Sequence, residues 1–154
     1  MRWQDLEQER CSVARTLSVI GDRWTILILR DCFLGISRFD DFERRLGMSR
    51  RMLSARLQKL VDKGVLRKKP YQQHPRRYDY LLTAKGIDLR PVMLAMLAWG
   101  DRYLSDGAPP MLLRHDDCGA QFTPVVHCSA CGAPAPPGRV SVEPGPAAEV
   151  TALP

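Results

Sequence analysis

The residues best suited to metal chemistry lie near the C-terminal end of the sequence. His115 and Cys118 stand three positions apart and are followed by a glycine, and Cys128 and Cys131 repeat this spacing nine residues later. Tight turns of this kind present two ligands to one side of a tetrahedral ion, so the pattern predicts a zinc-ribbon-like segment with structural zinc. His127 is a competing ligand outside the spacing. A thiol–disulfide pair, or free thiols in a loose segment, are the alternatives.

A second cysteine could support redox chemistry. Cys11 is flanked by Arg10 and Arg15 at the start of a predicted helix. Neighbouring cations and a helix start both favour the thiolate, which is the form that reacts with oxidants. A redox-sensing role for Cys11 is therefore one hypothesis, and an inert, half-buried cysteine is the other. Cys32 falls inside an apolar helical run, where a core position is expected.

Positive charge is concentrated in the middle of the chain. Residues 44–77 contain twelve Lys or Arg and one acid, Asp62. Residues 1–104 together have 21 basic and 12 acidic side chains, whereas residues 105–154 have two and five. This distribution predicts contact with a phosphate backbone, with a solvated surface as the alternative. No apolar segment is long enough for a signal or a membrane span, so we expect a cytoplasmic protein that does not bind membranes.

Two predicted helices lie within this basic region. Ser37 is expected to begin the first and Gly47 to end it, and Ser49 then caps a helix that runs to Lys63. A short turn containing glycine between two helices is typical of a helix-turn-helix. The second helix has one leucine-rich face and one basic face, the latter suited to approaching base edges. An ordinary amphipathic surface helix is the alternative.

A hairpin with a basic tip is expected next. Tyr78, Tyr80 and Leu82 alternate as strand positions after the turn-prone residues 72–76. Thr83 should cap a final helix with an apolar stripe, which Pro91 should kink or divide. The predicted fold class is therefore mainly α with a small β-hairpin wing, that is, a winged helix-turn-helix.

Six groups of residues between about positions 11 and 104 form a recognisable series. They are Cys11, Ile20-Gly21-Asp22-Arg23-Trp24, Arg38-Phe39 with Leu46, Ser49-Arg50-Arg51-Met52-Leu53-Ser54, Arg77-Tyr78-Asp79-Tyr80 and Leu82-Thr83-Ala84-Lys85-Gly86. With these residues the sequence resembles the HxlR-type branch of the MarR-like winged-helix regulators. Two positions depart from the usual pattern, since Ser12 and Arg50 stand where the family has proline.

The resemblance implies a homodimer formed through the terminal helices, with one recognition helix per subunit in the major groove of a palindromic DNA operator. The apolar terminal helices independently suit dimerisation, or else they complete the core of a monomer. With the basic face and the hairpin tip, the predicted DNA contacts are Arg38, Ser49, Arg50, Arg51, Ala55, Lys59, His74 and Arg76.

Composition divides the chain into three parts. Residues 1–104 are expected to bind DNA and to dimerise, residues 105–132 to form a linker and the zinc segment, and the Pro/Ala-rich residues 133–154 to be flexible. The predicted protein is a transcription regulator with no enzymatic activity. The alternatives are a thiol or zinc redox protein that uses the C-terminal cysteines, and a winged helix that binds protein rather than DNA. Four ligands leave no open position for catalysis, which argues against a zinc enzyme.

Overall fold

Within residues 5–146, the part of the chain that the structure describes, the computed structural model contains six helices and one two-stranded antiparallel sheet. These residues form two compact units, one ending at Arg90 and the other beginning at Pro91. The architecture agrees with the predicted mainly helical class with a single hairpin. The elements are α1 (Ser12–Ile20), α2 (Arg23–Phe33), α3 (Phe39–Leu46), α4 (Arg50–Asp62), β1 (Leu66–Gln72), β2 (Arg77–Leu82), α5 (Ala84–Ile87) and α6 (Arg90–Leu104).

The core of the first unit is formed by apolar faces of α2, α3 and α4. Ile28, Leu29 and Phe42 are completely buried there, and burying a side chain of this size contributes about 1.5–3 kcal/mol. Asp22 begins α2 by accepting the backbone N–H of Thr25 at 3.1 Å, which satisfies one of the free amides of the first turn.

A buried carboxylate also links α2 to α3. Asp31 has no solvent exposure and accepts hydrogen bonds from Arg30 Nε at 2.9 Å and Arg45 Nε at 3.1 Å. The hydrogen bond between Asp31 and Arg45 raises the pKa of Arg45, which stays charged. Because a buried charge is costly unless it is paired, both arginines compensate Asp31, and Arg45 connects α3 to α2.

The turn between α3 and α4 forms as the sequence predicts. Gly47 ends α3 with a φ of +62°, a left-handed conformation that favours glycine. Ser49 begins α4, and its hydroxyl accepts the N–H of Met52 at 3.3 Å. Met48 between them is buried. The two helices therefore meet at a short, anchored turn.

Ser37 does not cap α3, contrary to the expectation from sequence. Arg38 occupies the N-cap position without a side-chain hydrogen bond, while the Ser37 hydroxyl donates to Asp79 Oδ1 at 2.9 Å. The N–H of Tyr80 donates to the Ser37 carbonyl at 2.8 Å. Residues 37 and 38 lie instead beside β2 like a short third strand, because the sheet edge offers them partners.

The hairpin and the short helix after it are fixed to the end of α4. Leu66 pairs with Leu82 at the base of the hairpin, and the Thr83 hydroxyl accepts the N–H of Gly86 to cap α5. Pro91 lies in the first turn of the next helix, so the expected division into two helices is confirmed.

The second unit contains α6 and the irregular segment after it. None of the described residues after Gly86 is buried, and no described helix is both long and apolar enough to cross a membrane. Composition places a division near residue 105, whereas the compact units divide before Pro91 because α6 groups with the segment that follows it. Of the tail predicted to be flexible, residues 147–154 lie outside the described residues, as do residues 1–4.

Candidate nucleic-acid interface

The helix α4 has two chemically different faces. Leu53, Leu57 and Leu60 are completely buried against the core of the first unit. The opposite side is exposed, and it bears Arg51, Met52, Ser54, Ala55, Gln58 and Asp62. One face of α4 thus holds the helix in place, while the other is free to meet a ligand.

Three of the predicted DNA contacts lie at or near the start of this exposed face. Arg51 is exposed, and among the described residues its side chain has no ion pair or hydrogen bond. Ala55 follows one turn later and leaves room for close approach. The hydroxyl of Ser49 is already engaged in capping the helix. Arg51 is therefore the cation of this helix that is best placed to bind a new partner.

Arg50, the neighbouring arginine, is held by α3. Its Nη1 forms ion pairs with Glu43 Oε2 and with Asp40 Oδ1, the latter at 3.4 Å. Its guanidinium also lies over the ring of Phe39, 4.8 Å from the centroid. Two adjacent arginines with the same predicted role consequently have very different surroundings.

Lys59 lies at the edge of the exposed face of α4. It is half-buried, and it lies near Glu7 in the N-terminal turn. The hydrogen bond from Lys63 lowers the pKa of Glu7, and the charge of Lys59 lowers it further. Lys59 follows Ala55 by four residues, so the two lie on the same side of α4, and the partial burial of Lys59 places it at the edge of the exposed face.

The remaining predicted DNA contacts lie in the hairpin or beside its second strand. His74 and Arg76 are exposed in its turn. Arg38, beside β2, lies 3.7 Å from the carboxylate of Asp79 and has its guanidinium 4.6 Å from the ring centroid of Tyr71. We call the hairpin of residues 66–82 the wing. The exposed wing tip therefore offers an arginine and an imidazole, and either can donate a hydrogen bond to a phosphate oxygen.

Sequence reasoning missed two residues that join the wing to the helices. Lys68 Nζ donates to Gln58 Oε1 on α4 at 2.6 Å, and Arg77 Nη1 lies 3.4 Å from Asp40 Oδ2 on α3. In the sequence, Lys68 stands out only as one charge of the basic region, and Arg77 is named only as part of the family resemblance. A cavity of about 290 Å³ lies between the wing, α3 and the start of α4, and its lining includes Phe39, Asp40, Arg50, Tyr71, Arg76 and Arg77.

Residues 19–108, more than half of the chain, match the sequence model of the HxlR-like helix-turn-helix family. The chain belongs to this family. An uncharacterized HTH-type transcriptional regulator of Mycobacterium tuberculosis is 43% identical over 136 residues, which are 88% of this chain and 86% of that relative. The regulator YdeP of Bacillus subtilis is 36% identical over 96 residues, 62% of this chain and 75% of YdeP. The HxlR-like chain is thus a transcription regulator with a DNA-binding fold, and the prediction that it is not an enzyme is confirmed.

Solved structures give the same assignment. The candidate transcription factor PA1607 is 35% identical with a TM-score of 0.78, covering 89% of this chain and 96% of that one. PA1374 from Pseudomonas aeruginosa is 39% identical with a TM-score of 0.64, covering 91% and 96%. The redox regulator HypR in its reduced form is 32% identical with a TM-score of 0.57, covering 64% and 100%. The likeness to the first two extends past the family match, into the C-terminal segment.

The two cysteines of the first unit have different environments in this HxlR-like protein. Cys11 is exposed and occupies the N-cap of α1, and nearby Arg15 Nε donates to the carbonyl oxygen of Glu9 at 2.7 Å. Cys32 lies on α2, where burial raises the pKa of its thiol to about 12 and the charge of Asp31 adds to this effect. Cys32 therefore remains a thiol at neutral pH, and its side chain is partly buried, short of the core position that the sequence predicts.

The four predicted zinc ligands lie in two separate turns. All of them have exposed side chains, and within residues 5–146 no group of three or more His, Cys, Asp or Glu side chains is arranged to hold a metal. Among the described residues, the four side chains therefore lie in two turns and do not form a single cluster. The backbone N–H groups of Cys131 and Ala130 lower the pKa of Cys128 by hydrogen bonding to its sulfur. The zinc ligands named from sequence are His115, Cys118, Cys128 and Cys131.

Proposed function

We propose that this HxlR-like protein is a sequence-specific DNA-binding regulator that acts as a homodimer on a palindromic operator in the cytoplasm. The observation that carries the proposal is the position of α4. Its leucine face is fully buried and its opposite face is exposed, and Arg51 in its first turn has no ion pair with any residue between 5 and 146. A helix held in this way fits the major groove, and an arginine can form two hydrogen bonds with the edge of a guanine.

The wing is proposed to contact the phosphate backbone beside the groove. His74 and Arg76 are exposed at its tip, and Lys68 connects the wing to α4 through Gln58. Phosphate contacts fix the register of a protein on DNA without reading the sequence, and they release counterions. The wing therefore contributes affinity, while α4 contributes specificity.

Dimerisation is proposed from apolar surface on the terminal helices. Val13 and Leu17 of α1 are 68% and 42% exposed. In the second unit, α6 exposes five large apolar side chains, which are Val92, Met96, Trp99, Tyr103 and Leu104. Exposed apolar side chains grouped on one helix mark an interaction site, and a second copy of the chain would supply the two-fold symmetry of a palindrome.

Oxidation of Cys11 is proposed as a control on DNA binding. The thiol is exposed at the N-cap of α1, and the redox regulator HypR is a structural relative of this chain. Hydrogen peroxide would convert the thiol to a sulfenic acid and be reduced to water. Because α1 also exposes Val13 and Leu17, a change at its start would alter the proposed dimer surface.

Footprinting on the DNA upstream of the protein's own gene tests the proposal, together with light scattering of the free protein. We expect a protected palindrome and a dimer in solution. A binding constant that is the same for operator and random duplex at every salt concentration would contradict sequence-specific regulation. The absence of binding to any duplex would favour a protein-interaction role, and thiol–disulfide activity of the C-terminal cysteines would favour the redox alternative.

A further inference from the structure

Two turns of the C-terminal segment share one backbone geometry. We call residues 115–119 the first knuckle and residues 128–132 the second. In each, the N–H of the closing glycine donates to the carbonyl of the first residue, at 2.7 Å in the first knuckle and 2.8 Å in the second. The glycines Gly119 and Gly132 have φ values of +71° and +72°, a conformation that other residues rarely adopt.

The flanking chain also repeats. The N–H of His115 donates to the carbonyl of Ala120 at 2.9 Å, and the N–H of Cys128 donates to that of Ala133 at 2.8 Å. Each knuckle is closed by a bridge between extended residues, Arg114 with Gln121 and His127 with Pro134. Two stretches with different side chains therefore adopt the same turn, which presents its first and fourth residues together.

In the first knuckle, the donor atoms already face each other. His115 Nδ1 lies 3.3 Å from Cys118 Sγ. The other ring nitrogen, Nε2, lies 3.7 Å from the carboxylate of Asp117. This separation is longer than a hydrogen bond, so the carboxylate is a nearby charge and does not fix the tautomer of the ring. The imidazole and the thiol of the first knuckle nevertheless lie side by side, with Nδ1 on the side of the sulfur.

The second knuckle offers two thiols. Cys128 and Cys131 are the first and fourth residues of the turn that the N–H of Gly132 closes on the carbonyl of Cys128 at 2.8 Å. His127, the competing histidine, has its Nδ1 2.8 Å from the carbonyl oxygen of Gly132. Its ring therefore binds the backbone at the end of the second knuckle, and among the described residues it is not paired with a thiol.

We propose that the two knuckles close on one zinc ion within a single chain, with His115 Nδ1 and the sulfurs of Cys118, Cys128 and Cys131 as ligands. Three thiolates and an imidazole form a donor set that zinc prefers, and four protein ligands make the site structural. The knuckles must approach each other to bind the ion. Because no described residue of this unit is buried, metal binding provides the folding free energy of the segment.

Cobalt titration of the reduced, metal-free full chain tests this assignment. We expect saturation at one Co²⁺ per chain, with the absorption bands of tetrahedral thiolate coordination, and displacement of cobalt by Zn²⁺. The Cys128→Ser variant should lose the spectrum. The two histidines form a matched pair, because His115→Ala should weaken binding strongly, whereas His127→Ala should retain the stoichiometry and the bands.

Three results would overturn the proposal. These are the absence of cobalt bands in reduced protein, saturation at one ion per two chains, and a spectrum that depends on His127 but not on His115. A second measurement is independent of the spectrum. A chelator should speed proteolysis of the zinc-loaded chain between residues 105 and 146, while the circular dichroism of the helices and the affinity for DNA stay unchanged. Equal cleavage with and without chelator would contradict a structural ion.

Discussion

Replacing Arg51 and Arg50 one at a time gives the sharpest test of how α4 reads DNA. The two residues are adjacent, and each substitution by alanine removes one positive charge. Arg51 has no side-chain partner among the described residues, whereas Arg50 pairs with Glu43 and Asp40 and lies over Phe39. We expect Arg51 to read a base and Arg50 to position α4 on α3.

The magnitudes follow from these surroundings. A two-bond contact between arginine and guanine discriminates by about 1–3 kcal/mol, so Arg51→Ala should lower the ratio of operator to random-duplex affinity by about 5- to 150-fold. Arg50→Ala removes exposed ion pairs worth about 0–1 kcal/mol. It should weaken binding to both duplexes equally and leave that ratio unchanged. Both variants should lower the salt slope by at most about one ion.

Fluorescence anisotropy with operator and scrambled duplexes at several salt concentrations measures the ratio of the two affinities and the salt slope of each. The control is Arg51→Lys, which keeps the charge but loses the planar fork of the guanidinium. Lysine should restore the affinity for random duplex and the salt slope, and should not restore the specificity ratio. The reasoning is wrong if Arg50→Ala lowers the ratio while Arg51→Ala leaves it intact.

Three further predictions concern the wing, the redox site and the core. Arg76→Ala should weaken binding to all duplexes equally and lower the salt slope by about one ion; a loss confined to the operator would show base reading by the wing. Peroxide should alter operator affinity in the wild type and in Cys32→Ser but not in Cys11→Ser, as measured by anisotropy; a response that persists without Cys11 would contradict its role. Gly86→Ala should lower the midpoint of thermal unfolding by several degrees. An added Cβ would overlap the carbonyl oxygen of Val65, at a cost of about 1–3 kcal/mol in the free energy of unfolding. An unchanged midpoint in calorimetry would show that α5 can move away.

The elements of the first unit were predictable because their signals are local. Gly47 marks the end of α3, Ser49 marks the start of α4, and the spacing of the leucines marks the buried face of α4, all within a few positions. The role of Ser37 was not predictable, because its hydroxyl is bound by Asp79, 42 residues further along the chain. A serine before a helical pattern predicts a cap only where no sheet edge competes for it.

The candidate interface was predictable as a region, but its residues were not predictable one by one. Arg50 and Arg51 are neighbouring residues of the same type, and only the fold shows that Glu43 lies beside Arg50. The same holds for Lys59, whose proximity to Glu7 requires the N-terminal turn to pack near α4. Charge patterns identify where cations concentrate, whereas tertiary structure decides which acids they meet.

The fold sorts the basic stretch of residues 44–77 into two groups. The cations of the first group form ion pairs with acids from the N-terminal part of the chain. At a point more than about 8–10 Å away, the charge of such a cation is largely cancelled by its acidic partner and screened by salt. Members of the second have no ion pair within residues 5–146 and lie on α4 or the wing. The DNA-facing charge should therefore depend on the second group. The first group is Arg44, Arg45, Arg50, Arg56, Lys63 and Arg77; the second is Arg51, Lys59, Arg67, Lys68, Lys69 and Arg76. The acidic partners supplied by α2, α3 and the N-terminal turn thus direct the positive field of the protein to the helix and hairpin that we propose to contact DNA.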